Sequence, residues 1–456
     1  MPFTDLVHSS DRENTTIDTS HAAGQHVQMG VVRRPEQSVA LLVACIALIH
    51  SEQNLLAPNM SAVASSFGMS AVEKDEKLGG GLAASLFLVG APAAVLVGMA
   101  ADGYARRVDL LQVVLLLGAV GCGTSAVAST YSQLFCARAL TGVSLGSAVP
   151  LAFSLLGDIA APARRTALSG RLGLAMSFGQ ACGQGLAGFA GPALGWRAPF
   201  GVITVAMLLL AAFVRAYMVE PSRPPKPSSA SSSDSRLTAW SHVFTIRTVG
   251  LIFLQGIPGC VPWGVIGAFL PDFLHTDGGF SVEQATVIMS GFSLGGGLGV
   301  YCGGELGQRL YNVDRRQPAL LMLVAGSGGI LPMAWLIGGT PSTVLGCSVL
   351  ACLGGFLATQ TGPNVRATLT NVTQPDQRGF AFATFALCDD LGRGAGPVLI
   401  AQGIRVWGRR WTFACAMVGW LPCALLCGAT AFTVGADERR AQKGHQLLPD
   451  HAKLLG

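Results

Sequence analysis

Charge is what this sequence has least of. Of 456 residues, 12% are Asp, Glu, Lys or Arg and 50% are apolar, whereas soluble domains carry about 25% charged residues. Mean hydropathy is +0.50. The shortage excludes a soluble chain of roughly three domains, and with it disorder. It also excludes a nucleic-acid binder, which needs a continuous basic face. Paired cysteine motifs are missing as well. The twelve cysteines lie in or beside apolar stretches without a CxxC and its partners, so they read as small buried apolar residues. Neither a metal site nor a disulfide framework is implied, and no cofactor is expected. Residues 1–35 lack an apolar core segment, which argues against a cleavable signal peptide.

Long apolar runs are what the sequence has in abundance. Windows of about 20 residues predict helices near 37–58, 79–101, 109–128, 132–154, 167–190 and 199–218, then near 248–271, 283–303, 318–338, 342–362, 379–402 and 411–433. Between the two sets, Pro221, Pro224, Pro225, Pro227 and a Ser-rich run form a stretch that cannot bury a core and reads as a linker. The expected fold is an all-α membrane protein of twelve transmembrane helices in two six-helix bundles. Its divisions are an N-terminal tail (1–35), a first bundle (36–220), a linker (221–245), a second bundle (246–435) and a C-terminal tail (436–456).

Twelve crossings return both termini to one side, and basic loops mark that side as cytoplasmic. Arg106, Arg107, Arg164, Arg165, Arg223, Lys226, Arg309, Arg315, Arg316, Arg366 and Arg378 fall in the even-numbered loops, and Arg439, Arg440 and Lys443 in the last tail. The opposite loops have fewer, chiefly Lys74, Lys77 and Arg197. One cluster, Arg405, Arg409 and Arg410, runs against this threading. Which membrane the protein occupies is not encoded in a readable signal.

The halves echo each other. Gly98 and Asp102 precede Arg106 and Arg107 at the end of the second span, and Gly304 and Gln308 precede Arg309 at the end of the eighth. Gly98-Met-Ala-Ala-Asp102-Gly-Tyr-Ala-Arg106-Arg107 resembles the loop signature of the major facilitator superfamily. Arg138-Ala-Leu-Thr-Gly142-Val-Ser-Leu-Gly146 resembles that superfamily's fourth-span motif, and Asp158, Arg164 and Gly195-Trp196-Arg197 follow at the matching spacing. Within the superfamily, Glu52-Gln-Asn-Leu-Leu-Ala-Pro-Asn59 and Gln255-Gly-Ile-Pro-Gly-Cys-Val-Pro-Trp-Gly264 are similar to the Spinster-like branch. Members of that branch move lysophospholipids, sphingolipids and related amphiphiles. The resemblance implies alternating access about a cavity between two bundles, with Asn54, Gln255 and Trp263 as cavity candidates. The loop motif departs from the family pattern at Gly103, where a basic residue is usual, and at Ala105, where glycine is usual. Its gating set is Gly98, Asp102, Arg106 and Arg107, which either latch one access state or serve as plain topogenic charges.

Charges inside apolar spans are costly and mark function by default. Arg138 is the first of these, and Glu52 is its natural partner. Burial raises the proton affinity of a carboxylate and a nearby guanidinium lowers it, a balance that permits proton coupling, and a permanent Glu52–Arg138 clamp is the structural alternative. Spinster-like relatives have an acid soon after this arginine, and Gly142, Ser144, Leu145 and Ser147 supply none, so uniport or exchange stays open. His50 is either a hydrogen-bonded helix residue or a proton relay. Asp389 and Arg393, four apart, share a helix face and can neutralise each other. Asp390 is left for substrate or ion contact or for the cytoplasmic headgroups. Trp263 either stacks on a ligand or anchors at the interface.

No catalytic constellation is present. Gly142-Val-Ser144-Leu-Gly146 and Gly291-Phe-Ser293-Leu-Gly295 lie inside apolar helices, where a nucleophile elbow cannot form. Gly295 to Gly299 lacks the strand and lysine of a phosphate loop, and reads as a helix-packing face. The expectation is a transporter, not an enzyme, that moves a lipid-like amphiphile through the bilayer, with protons as a further partner. The alternatives are a proton-coupled carrier of small polar metabolites such as sugars or organic anions, and a non-transporting membrane sensor or scaffold.

Overall fold

A computed structural model describes residues 35–103, 106–159, 165–221, 242–339, 342–374 and 377–446. The tail 1–34, the linker from 222 to 241 and the last ten residues lie outside them. Every regular element among the described residues is helical, as expected for a chain that must satisfy its backbone polar groups within each segment in lipid.

Among the described residues, ten helices are long and apolar enough to cross a membrane. The last of these covers 55 residues, Arg378–Phe432, about 80 Å at the α-helical rise, far more than the roughly 30 Å hydrocarbon core. It breaks at Gly408, whose φ of 76° lies in the left-handed region that suits glycine. It is therefore two rods. Arg165–Leu194 adds a thirty-residue rod that is less apolar because it carries Arg171, Gln180, Gln184 and many glycines. That makes twelve rods. They are α1 (Pro35–Ser51, continued through two 3-10 turns into Met60–Ser66), α2 (a π-helical start, Lys74–Gly81, then Leu82–Gly103), α3 (Arg107–Val127), α4 (Tyr131–Ile159), α5 (Arg165–Leu194) and α6 (Ala198–Tyr217). The second set comprises α7 (Arg247–Thr276), α8 (Val282–Val313), α9 (Gln317–Gly328 and Ile330–Gly338), α10 (Val344–Thr359 and Thr361–Val372), α11 (378–407) and α12 (409–432). A thirteenth helix, α13 (Val434–Gln446), is polar and amphipathic.

Packing repeats at an interval of six helices. In the first set α2 packs on α4, α1 on α5 and α3 on α6, and in the second α8 packs on α10, α7 on α11 and α9 on α12. The two sets meet through α2 against α11 and α5 against α8, which is again one pairing repeated. Several helices overrun their apolar windows, α8 by ten residues and α10 by a similar margin. Beyond the hydrocarbon the backbone still gains by staying helical, and polar pairs support it there, such as Arg309 with Glu305 at 3.1 Å. Arg366 is thereby in α10 and not in a loop.

On the face that bears the termini, α13 ties down the second set. Asp437 accepts from the backbone N–H (3.0 Å) and hydroxyl (2.8 Å) of Thr248 at the start of α7, a group the helix itself cannot satisfy. Glu438 accepts from the Tyr311 hydroxyl at the end of α8.

Candidate functional site

Between the two sets lies a cavity of about 220 Å³, walled by α1, α2, α4 and α5 on one side and α7, α8, α10 and α11 on the other. Amides and cations face it from both halves: Gln53, Asn54, Arg138, Gln180 and Gln184 from the first, Arg393 from the second. Trp263 and Phe292 form its aromatic wall, their rings 5.5 Å apart, with Trp420 behind Trp263 at 5.6 Å. Trp263 is thus inside the protein and not an interfacial anchor. Two close approaches across the halves bound the cavity toward the face opposite the termini. Phe269 of α7 occupies the space where a side chain on Gly79 would stand, and Thr286 of α8 does the same at Gly188.

Helix α1 breaks beside this cavity. After Ser51 it runs through 3-10 turns at Glu52–Asn54 and Ala57–Asn59, the second containing Pro58, and such turns leave carbonyls short of their usual partners. Arg138 of α4 supplies those partners. Its Nη1 donates to the Glu52 carbonyl at 3.1 Å and its Nη2 to the Gln53 carbonyl at 3.2 Å, and its guanidinium lies 5.9 Å from the Phe200 ring centre. Arg138 and Glu52, expected as partners, thus meet through the Glu52 backbone carbonyl, while the Glu52 carboxylate lies within the first set against Cys122. There Glu52 is fully buried. One carboxylate oxygen accepts from the Cys122 thiol at 3.2 Å, and the other has no hydrogen-bond partner among the described residues. His50, also buried, donates Nδ1–H to the Ile46 carbonyl at 2.8 Å and does not reach the cavity. The helix-residue reading of His50 fits that geometry.

In α11, Arg393 faces the cavity, while Asp389 turns to Cys260 of α7 and lies against the notch at Gly256. Asp389 and Arg393 influence each other electrostatically, as do Asp390 and Arg393. Among the described residues the two form no contact ion pair, and both reach the Cys260 side chain instead. Arg366 of α10 adds a second positive charge near Asp389, on the side toward the termini.

A further charged cluster was missed by sequence reasoning. Beyond the cavity, on the face opposite the termini, Lys74 pairs with Asp272 at 2.8 Å, and Arg409 Nη2 lies 2.6 Å from Asp272 and 3.0 Å from Asp75. The other Arg409 nitrogen, Nη1, reaches Asp277 at 2.7 Å. Ser61 donates to Asp272 at 2.5 Å, and Arg405 meets Glu76 at 3.1 Å. Lys74, Asp75 and Glu76 belong to the first half, and Asp272, Asp277, Arg405 and Arg409 to the second. The cluster therefore spans the two. Arg405 and Arg409, two of the basic residues that run against the threading rule, are members of this cluster. The signal available in the sequence was that mismatch.

Other candidates lie elsewhere. Gln255 packs between α7 and α12, where its Oε1 accepts from the thiols of Cys423 (3.0 Å) and Cys427 (3.8 Å) and its Nε2 donates to the Ile252 carbonyl. Those contacts hold it away from the cavity wall. In the loop motif, Gly98 and the Asp102 side chain lie outside the described surroundings of the chain. Arg106 pairs with Asp109 at 2.8 Å. Arg107, 1% exposed, joins the start of α3 to Ser154 of α4 (3.2 Å) and to Glu220 just after α6 (3.6 Å).

The sequence profile of the Major Facilitator Superfamily matches residues 42–397. A 3-(3-hydroxy-phenyl)propionate transporter of Escherichia coli (strain K12) is 27% identical over 370 residues, which cover 77% of this chain and 83% of the relative. A 4-hydroxybenzoate transporter of Pseudomonas aeruginosa is 26% identical over 293 residues, 57% of this chain and 62% of the relative. A crystal structure of a bacterial homolog to the human lysosomal transporter Spinster, inward-facing and unoccupied, matches with a TM-score of 0.77 at 16% identity, over 90% of this chain and 99% of that one. These relatives are transporters and not enzymes. The chain belongs to the Major Facilitator Superfamily, as its loop and fourth-helix motifs implied.

Proposed function

We propose that this transporter carries small organic anions, aromatic carboxylates above all, by alternating access, with both termini in the cytoplasm. The observation that carries this is the cavity lining: cationic Arg393, which forms no direct ion pair among the described residues although Asp389 and Asp390 act on it electrostatically, amides opposite it, and an aromatic wall at Trp263 and Phe292. Arginine matches a carboxylate bidentately, and a planar ring stacks favourably on aromatic faces. A volume of about 220 Å³ is at the small end for ligand pockets and suits a single-ring acid better than a long acyl chain. Transport of hydroxylated aromatic acids by the named relatives supports the same class, and the lipid-like amphiphile expected from sequence becomes the competing outcome.

Uptake by proteoliposomes under an imposed pH gradient tests this, with benzoate, 4-hydroxybenzoate, xylose and lysophosphatidylcholine as probes. Saturable carboxylate uptake is expected, reduced by about 10- to 100-fold in Arg393→Ala, the equivalent of the roughly 1.5–3 kcal/mol of a hydrogen bond to a charged group. Flux of lysophosphatidylcholine without flux of any carboxylate would overturn the proposal. Absence of all flux, with a specific partner bound to the tails, would favour a sensor.

Glu52 is the proposed proton site, since its unpartnered oxygen is available to a proton in the dry interior of the first half. Uptake by the wild type then rises when the donor side is acidified, and Glu52→Gln transports at a rate indifferent to the gradient. A Glu52→Gln variant that still follows the gradient removes Glu52 from coupling.

A further inference from the structure

We infer that Gln184 is a specificity-determining residue that reads a second polar oxygen on the substrate, such as a ring hydroxyl, at a distance from its carboxylate. The inference rests on the organic-anion reading above. Gln184 lies on α5, is 6% exposed, lines the central cavity, and has an amide Nε2 with no hydrogen-bond partner among the described residues. Its neighbours on the same face of α5 are already engaged. Gln180, one turn toward the terminal face, donates to the Gln53 Oε1 at 3.0 Å. One turn the other way, the Ala187 carbonyl accepts from Asn59 at 2.7 Å, and the notch at Gly188 is filled by Thr286. The unused donor therefore sits under the closed end of the cavity.

An amide N–H recognises an oxygen acceptor and gains nothing from an aromatic C–H edge. Arg393 comes from the opposite half, so a carboxylate held there directs the remainder of a short molecule along Trp263 and Phe292 toward α5. A hydroxyl at that end satisfies Gln184. An unsubstituted ring leaves the donor buried and unpaired, the arrangement by which a polar site rejects an analogue that lacks the group it was shaped to bind. The cavity thus distinguishes acids by a second oxygen and not by size alone.

The test measures initial uptake into proteoliposomes across concentrations of benzoate, 3-hydroxybenzoate and 4-hydroxybenzoate, comparing kcat/KM ratios in the wild type, Gln184→Met and Gln184→Glu. Methionine preserves length without polar atoms, and glutamate preserves shape without the amide N–H. The wild type is expected to prefer at least one hydroxybenzoate over benzoate by about tenfold or more, with that ratio falling toward one in Gln184→Met, chiefly through KM, while Gln184→Glu, whose carboxylate still accepts from a ring hydroxyl, loses uptake of all three acids by repelling their carboxylates. An unchanged ratio in monodisperse Gln184→Met overturns the inference and leaves the organic-anion reading standing, as does a wild type that takes up all three acids equally. A wild type that takes up none of them overturns both. Loss of the folded protein in both variants, judged by size-exclusion chromatography, makes Gln184 a packing residue and also overturns the inference.

Discussion

Replacing Arg409 with alanine is expected to release the cavity toward the face opposite the termini. Arg409 holds three acids, Asp75, Asp272 and Asp277, and its side chain is 12% exposed against 1% for Asp272. Removing one partner of a buried ion pair costs about 3–5 kcal/mol because the remaining charges stay buried and uncompensated. Here that cost applies only to the state in which the two halves meet, since on separation the acids regain water. The equilibrium between access states therefore moves toward opening on that face by two to three orders of magnitude, at about 1.4 kcal/mol per factor of ten. A cysteine placed at Ala57, 5% exposed on the cavity wall, reports the change through its reactivity to a membrane-impermeant maleimide, measured above the background of native thiols. Labelling from that side rises in Arg409→Ala and in Asp272→Asn, while transport slows because the return to the closed arrangement becomes limiting. Unchanged labelling with normal transport would show the cluster to be ornamental to the cycle.

This cluster also marks where sequence reasoning stopped. Spans and linker were legible because a run of apolar residues long enough to cross a bilayer has few other readings. Arg138 stood out because charge inside such a run needs a reason, Asn54 and Trp263 were cavity candidates through the family resemblance, and Arg393 was read only as the partner of Asp389. The cluster was not, since its members lie near helix ends, where charge is ordinary, and Asp75 and Arg409 are 334 residues apart. Gln184 escaped for another reason: a neutral amide in a glycine-rich helix carries no penalty large enough to announce itself. The direction of Glu52 was lost because a window of residues assumes one helical period, and the 3-10 turns at 52–59 change it. The contact of Asp389 with Cys260 was not legible because spacing along one helix says nothing of a thiol on the next.

Arg138→Ala is expected to abolish transport while leaving a protein that inserts and elutes as a single species. Two backbone hydrogen bonds, at 3.1 and 3.2 Å, are lost with it, each to a charged donor and so worth roughly 1.5–3 kcal/mol. The Glu52 and Gln53 carbonyls are left without that donor where α1 is already broken. The damage is local, for α1 still packs on α5 and α4 on α2, so insertion survives while the wall bearing Gln53 and Asn54 does not keep its shape. Arg138→Lys separates two roles for the residue. An ammonium is a point charge without the planar fork, so it cannot bridge both carbonyls in the same geometry. If Arg138 serves only to staple the broken helix, the Lys variant recovers part of the uptake whether or not Glu52 is present. If Arg138 instead leaves the carbonyls during turnover to meet the Glu52 carboxylate, its loss and that of Glu52 act on one step. The double variant Arg138→Lys, Glu52→Gln is then no slower than the worse single variant, a non-additivity that a double-mutant cycle detects. Full additivity, measured as initial uptake without a pH gradient, assigns Arg138 to the staple alone, and normal transport by Arg138→Ala removes it from both roles.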